Sequence, residues 1–183
     1  MQLIVREARP CGADDQIVGN LLVQAFVETY SKKMPEVVVT EKRRLQLMDV
    51  AMRRSQGTVL VAQLGDQIIG SVTLLPPGAA QSEAWIPQAA DLRQLAVSPE
   101  FQGRGFAENL LTETEKLALS WNASAICLHV RRKASGLASL YRRRGYLRDN
   151  SGDLHLSSTA PGTILDGYYL PVGARSARSL IWD

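Results

Sequence analysis

The chain has 183 residues, 45% of them hydrophobic and 21% charged, a globular composition that excludes a disordered, collagen-like or coiled-coil chain and fits one domain, 1–183. Its net charge of +3 is too small to imply a nucleic-acid partner, and no apolar run approaches the roughly 18 residues that span a bilayer. Cys11 and Cys127 stand far apart without CxxC or metal-ligand spacing, and charges at Arg6, Glu7, Asp14 and Asp15 interrupt the N-terminus, so the expectation is a cytoplasmic protein with no membrane segment, disulfide, metal or secretory signal.

Gln2 to Ala8 reads as an edge strand. Asp14 or Asp15 then caps a helix whose apolar positions Ile17, Leu21, Leu22, Ala25 and Phe26 recur at helical spacing. A second helix is predicted from Thr40 to about Arg54. Residues 58–64 (TVLVAQL) and 67–75 (QIIGSVTLL) are β-branched, apolar runs joined at Gly65-Asp66, a hairpin signal that Pro76, Pro77 and Gly78 close. A mobile-looking stretch from Pro76 to Ala90 leads into a strand at about Leu92 to Val97.

From Gly105 to Trp121 the residues Phe106, Ala107, Leu110, Leu111, Leu117, Ala118 and Trp121 share one helix face, opposite Glu113, Glu115 and Lys116. Ser124 to Val130 is the next strand, Ser135 to Arg144 a helix stopped by Gly145, Tyr146 to Leu156 a strand or bulged strand, and Ile164 to Leu170 a last strand. The order βααβββαβαββ predicts an α/β (α+β) fold, a mixed sheet with helices on both faces. The clusters Arg131-Arg132-Lys133 and Arg142-Arg143-Arg144 read mainly as solvated helix-end charge. The tail, with Tyr168, Tyr169, Leu180, Ile181 and Trp182, is apolar enough to dock on its own core or on a second subunit, as a homodimer would.

The stretch with chemical content is 95–107, LAVSPEFQGRGFA: a strand, a short turn, then glycines opening a long amphipathic helix. Free N–H groups at a helix start point outward, the helix dipole favours negative charge, and Gly103 and Gly105 let a phosphate approach the backbone. A pyrophosphate fits that requirement. The pattern is not G-x-x-x-x-G-K-[ST], and a third glycine is lacking at Glu108, which disfavours Walker and Rossmann nucleotide sites.

These residues resemble the GNAT superfamily of N-acetyltransferases, whose acyl-CoA signature [QR]-x-x-G-x-[GA] is met by Gln102, Gly105 and Ala107. Residues 61–74 are similar to that family's hairpin, 91–111 to its cofactor strand, loop and helix, and 128–146 to its second cofactor element. The acyl-CoA core is thus about 58–147, with acceptor-site and dimer elements expected in 1–57 and 148–183. The resemblance implies acetyl-CoA as cosubstrate. The backbone of Leu95, Ala96 and Val97 would pair with its pantetheine arm, and the amides of Gln102, Gly103, Arg104, Gly105, Phe106 and Ala107 would hold its pyrophosphate. The family's usual Asn before the LYxxxGY/F motif is Ala134 here, a contact that Ser135 would replace.

The same resemblance places Tyr141 where many members use a Tyr to protonate the departing thiolate, a role for which a phenol near pKa 10 is suited. It equally forms an i, i+3, i+4 apolar set with Leu137 and Leu140. A base must deprotonate the acceptor amine. His129 lies twelve residues before Tyr141, where ribosomal-protein N-terminal acetyltransferases carry Glu, and a histidine suits the task; the other reading is a satisfied strand histidine. Asp91, where relatives often carry Glu in an E-x-R-x-L-A-V strand, and Glu83 compete with it. His155 reads as structural. The implied activity is direct acetyl transfer to a primary amine of a small molecule or peptide. Its rivals are transfer of a longer acyl group, a CoA-binding regulatory or toxin-like module with a macromolecular partner, and a dinucleotide-binding protein.

Overall fold

The computed structural model describes residues 2–10, 12–28, 40–156 and 162–173, with backbone only at Glu28. They belong to two compact units, Met1–Leu74 with Gln94–Thr114, and Leu75–Arg93 with Glu115–Asp183. Among the described residues there are eight strands and five α-helices, and the sheet is mixed, as the interleaved pattern predicts.

The first unit opens with β1 (Leu3–Glu7), then α1 (Gly12–Val23) running into a π-helical turn at Gln24–Glu28. After α2 (Glu41–Met48) and α3 (Val50–Gln56) come the hairpin strands β2 (Thr58–Leu64) and β3 (Gln67–Leu75). β1 pairs antiparallel with β2, and β2 with β3 from Thr58↔Leu74 to Leu64↔Gln67. Gly65, at φ +61°, takes the left-handed conformation that so tight a turn requires. One face of the hairpin presents Val59 and Val61 to a cluster containing Val18, Leu22 and Leu47; burying each such side chain is worth about 1.5–3 kcal/mol. On the opposite face a Cβ at Gly70 would meet the Ala96 carbonyl at 3.0 Å and Leu110 at 3.1 Å. Glycine there lets the helix that carries Leu110 close on the strand. That helix is α4 (Phe106–Ser120), which with β4 (Ala90–Val97) runs through both units.

Two expectations about this unit need correction. α1 begins at Gly12, so Asp14 is its third residue and not its cap. The Asp14 carboxylate accepts from Arg6 Nη1 at 2.7 Å and from the Arg9 N–H at 2.9 Å, and Ile17, placed on the apolar face by spacing, is 44% exposed. The helix predicted over 40–54 is two helices, broken at Asp49. Thr40 caps the first through Arg43 N–H and Asp49 caps the second through Met52 N–H, an Asp side chain competing for backbone donors that a continuous helix would use itself. The buried Arg53 guanidinium satisfies the Gln46 and Leu47 carbonyls freed by the break, both at 2.7 Å.

In the second unit the start of β4 runs parallel to β5 (Ala125–Arg131), Ala90↔Ile126 to Leu92↔Leu128. β5 pairs antiparallel with β8 (Ile164–Pro171) from Ala125↔Pro171 to Arg131↔Leu165. Between them lies α5 (Ser135–Arg144), ended by Gly145 at φ +98° with its N–H on the Arg142 carbonyl, a left-handed helix stop. The strand expected over 146–156 is instead β6 (Leu147–Arg148), a 3₁₀ turn at Asn150–Gly152 and β7 (Leu154–His155), both short strands pairing with β8. Asp149 causes the interruption: its carboxylate caps the turn through Ser151 N–H at 2.9 Å. The stretch 76–90 is pinned, with Glu83 N–H on Asp91 and the Gln88 and Pro87 carbonyls held by Ser124. Cys11 and the tail residues Leu180, Ile181 and Trp182 lie outside the described residues.

Candidate active site

In the first unit β4 ends at Val97 and a single turn, Pro99–Phe101, leads to the glycines. Ser98 N–H donates to the Ile69 carbonyl at 2.8 Å, and the Gln102 side chain donates from Nε2 to the Val97 carbonyl at 3.0 Å. Gln102 therefore closes the turn with its side chain. Gly103 and Gly105 have φ +75° and +82°, and a Cβ on either would meet nothing within 4 Å. They are glycine for conformation and for an uncovered backbone, not to avoid a neighbour. Among the described residues the amides of Gly103, Arg104, Gly105, Phe106 and Ala107 donate to no backbone carbonyl, the next bond being Glu108 N–H to Gly105. Consecutive unspent donors at the start of a fifteen-residue helix form a nest for an anion. Arg104 lies over the Phe101 ring at 5.6 Å, adding positive charge beside it.

One turn earlier, Gln94 adopts φ +53° inside β4, an unusual conformation for a residue with a side chain. Leu95, Ala96 and Val97 follow it. The Gln94 carboxamide accepts from Thr73 Oγ1 at 3.4 Å.

The other candidates belong to the second unit. Tyr141 is carried by α5, is 5% exposed, and meets Tyr146 edge-on with ring centroids 5.3 Å apart. Ser135 is exposed at the start of the same helix, after a turn in which Lys133 has φ +81°. His129, on β5, donates from Nε2 to the Gly152 carbonyl at 2.8 Å, since a carbonyl can only accept. The neutral ring then carries its lone pair on Nδ1. The Trp85 ring lies 5.3 Å away, tilted 55°, and its Nε1–H donates to Asp149 at 2.8 Å. A Cβ on Gly152 would be driven into the Trp85 indole. Bonds to Trp85 and Ser151 hold the Asp149 carboxyl below the usual carboxylate range.

Asp91 is fully buried, and its Oδ2 accepts from Arg93 Nε and from Glu83 N–H, both at 2.8 Å. Arg93 Nη2 also pairs with Glu83 at 3.1 Å. The two carboxylates named as competing bases are thus brought together on one guanidinium. Cys127, opposite Asp91 in register, is buried, and burial above all raises its thiol pKa. It is no activated nucleophile. Among the described residues no cluster of His, Cys, Asp and Glu could hold a metal, and no helix is long and apolar enough to cross a membrane.

Sequence reasoning did not single out Gln94, Thr73, Trp85 or Asp149. Partners 21 positions apart, as Thr73 and Gln94 are, or 64 apart, as Trp85 and Asp149 are, leave no local signal.

The description "Acetyltransferase (GNAT) family" belongs to a family model that matches residues 17–146. The chain is a member of the GNAT acetyltransferase family. No curated protein matches it in sequence. Solved structures show the same fold at low identity. An acetyltransferase of the GNAT family from Staphylococcus aureus has a TM-score of 0.69 at 16% identity, over 93% of this chain and 99% of that one. A ribosomal-protein-alanine N-acetyltransferase from Escherichia coli gives 0.67 at 14%, over 93% and 94%. A spermidine/spermine N-acetyltransferase from Vibrio cholerae gives 0.67 at 19%, over 97% and 98%. The last two are named for different kinds of amine acceptor, so the fold assigns no acceptor.

Proposed function

We propose that this GNAT chain works as one acetyltransferase domain, moving an acetyl group from acetyl-CoA to a primary amine by direct attack. The observation that carries the reading is the run of unspent amides at 103–107, which includes the two left-handed glycines Gly103 and Gly105. Backbone donors fixed at a helix start suit a pyrophosphate, and family membership supports CoA as the ligand that brings it.

The pantetheine arm pairs with the backbone of Leu95, Ala96 and Val97, as an added strand would, and Ser135 supplies a further contact to the cofactor. His129 takes a proton from the acceptor ammonium on Nδ1, the nitrogen not committed to Gly152. It is preferred to Asp91 and Glu83 because Arg93 already engages both carboxylates. The free amine attacks the thioester carbonyl, forming the N–C bond; an N–H near Leu95 stabilises the oxyanion. The C–S bond breaks as Tyr141 passes its phenolic proton to the thiolate sulfur, and the second proton that the nitrogen sheds on becoming an amide restores the Tyr141 phenol. No covalent enzyme intermediate is required.

The test is CoA release from acetyl-CoA across amino acids, peptide amino termini, polyamines and aminoglycosides. Turnover with any of them above hydrolysis supports the proposal. CoA binding by calorimetry with no turnover of any amine would instead make the chain a CoA-binding module.

A further inference from the structure

We propose that Gln94 determines acceptor specificity: its carboxamide donates to a carbonyl oxygen next to the reacting amine, selecting amino-acid amides and peptide amino termini over simple alkylamines. This rests on the acetyltransferase reading above and adds the substrate class.

Three observations within the first unit meet at this residue. In the β2–β3 register Thr73 lies opposite Val59 and Ser71 opposite Val61, so both hydroxyls emerge on the face that those valines turn to the apolar cluster with α1. They are 2% and 1% exposed. Ser71 Oγ has no hydrogen-bond partner among the described residues, a destabilising arrangement that a purely structural strand would avoid by carrying Ala or Val. This face thus keeps a polar strip where packing alone would favour none.

The second observation is the orientation of the carboxamide. Thr73 Oγ1 donates to Gln94 Oε1 at 3.4 Å, which leaves the two Nε2 hydrogens as the group's donors. Gln94 is only half-buried, so these donors are not sealed in the core. The third is the backbone. A non-glycine residue at φ +53° carries backbone strain, which persists where the surroundings enforce it and is concentrated at functional sites. The strain turns Gln94 immediately before Leu95, the residue beside which the thioester lies in the proposed function.

Donors at that point select for an oxygen. In an α-amino amide or peptide the carbonyl oxygen stands on the carbon adjacent to the one bearing the amine, within reach of a side chain one residue from the reacting centre. An alkylammonium or polyamine offers donors only and gains nothing from Nε2.

The experiment compares alaninamide with sec-butylamine, which has the same skeleton with the carboxamide replaced by ethyl, at matched concentrations of free amine. In the wild-type enzyme kcat/KM should favour alaninamide by about tenfold, the effect of one hydrogen bond. Gln94→Gly suits the left-handed backbone, so it removes the side chain while relieving strain. It should bring the ratio close to one, mainly through KM for alaninamide, with KM for acetyl-CoA unmoved. Thr73→Val, which removes the orienting hydroxyl at near-constant volume, should reduce the ratio part of the way. A ratio preserved in Gln94→Gly, or a wild-type preference for sec-butylamine, overturns the proposal. If neither amine is turned over, calorimetry of alaninamide with CoA-saturated protein reads the contact directly. Affinity about tenfold weaker in Gln94→Gly supports it, and equal or absent binding overturns it. Failure of CoA itself to bind would sink the acetyltransferase reading instead.

Discussion

His129 donates from Nε2 to the carbonyl oxygen of Gly152 across 2.8 Å, tying β5 to the 3₁₀ turn that interrupts the chain after β6. The bond assigns the ring's tautomer, and it separates two roles that one histidine could play: tether and base.

Gln at position 129 can still donate through its amide to Gly152, but it cannot accept a proton in this range of pH. His129→Gln should therefore keep most of the stability and lose turnover, together with the acidic limb of the pH–rate profile. His129→Phe should lose both. The measurements are thermal unfolding and kcat/KM between pH 5 and 9; a wild-type profile in His129→Gln would move the base to Asp91, Glu83 or water.

Tyr141→Phe keeps the edge-on packing against Tyr146 and nearly all of the buried surface. A residue serving only the core should tolerate it. A general acid should lose about 10²–10⁴-fold in kcat with acetyl-CoA still bound. The loss should shrink with an acyl donor whose thiolate is less basic, since that leaving group needs less help. Near-normal turnover would remove the acid role from Tyr141.

Because nothing lies within 4 Å of a Cβ at Gly105, the cost of a side chain there is the strain at φ +82°. Gly105→Ala should lower stability by about 1 kcal/mol. Gly105→Glu carries the same backbone strain plus a negative charge beside the proposed pyrophosphate site, so it should weaken CoA binding by a further tenfold or more. Calorimetry with CoA on both folded variants separates the bulk and charge of the Glu side chain from the backbone strain that both share; equal affinities would mean that the phosphates bind elsewhere.

Acid should unfold the first unit through Asp14. Burial, the largest single influence on its carboxyl, would raise the pKa from 3.8, but hydrogen bonds from Arg6 and from the Arg9 backbone and side chain outweigh it and hold the group at about 2. A carboxyl depressed in the folded state contributes stability fully present above its unfolded value near 3.8, lost as pH falls through about 2. At about 1.36 kcal/mol per pKa unit the contribution is on the order of 2 kcal/mol. Asp14→Asn should be less stable than wild type at pH 6, and the difference should narrow between pH 4 and 2 in denaturant titrations. A constant difference would show that Asp14 acts by packing alone.

The features legible in the sequence are those decided within a few residues. Alternating apolar runs on either side of Gly65-Asp66 place the hairpin, because turn geometry and strand pairing are local there. Gly145 ends α5 where the helical spacing stops, since a left-handed stop costs glycine almost nothing. Gly103 and Gly105 mark the turn before α4 for the same reason. What the sequence could not reveal is decided by partners distant along the chain. Asp14 is a legitimate helix cap by position, yet Arg6 and Arg9 draw its carboxylate into an ion pair. The segment 76–90 has the composition of a mobile loop. It is held because Asp91 is buried next to Arg93 and accepts the Glu83 amide, and because Trp85 reaches Asp149, 64 residues away. Local composition sets where the backbone can turn. Only burial decides which charged and polar groups must find one another, because a carboxylate or an indole N–H removed from water has to be satisfied by whatever the tertiary structure brings within 3 Å.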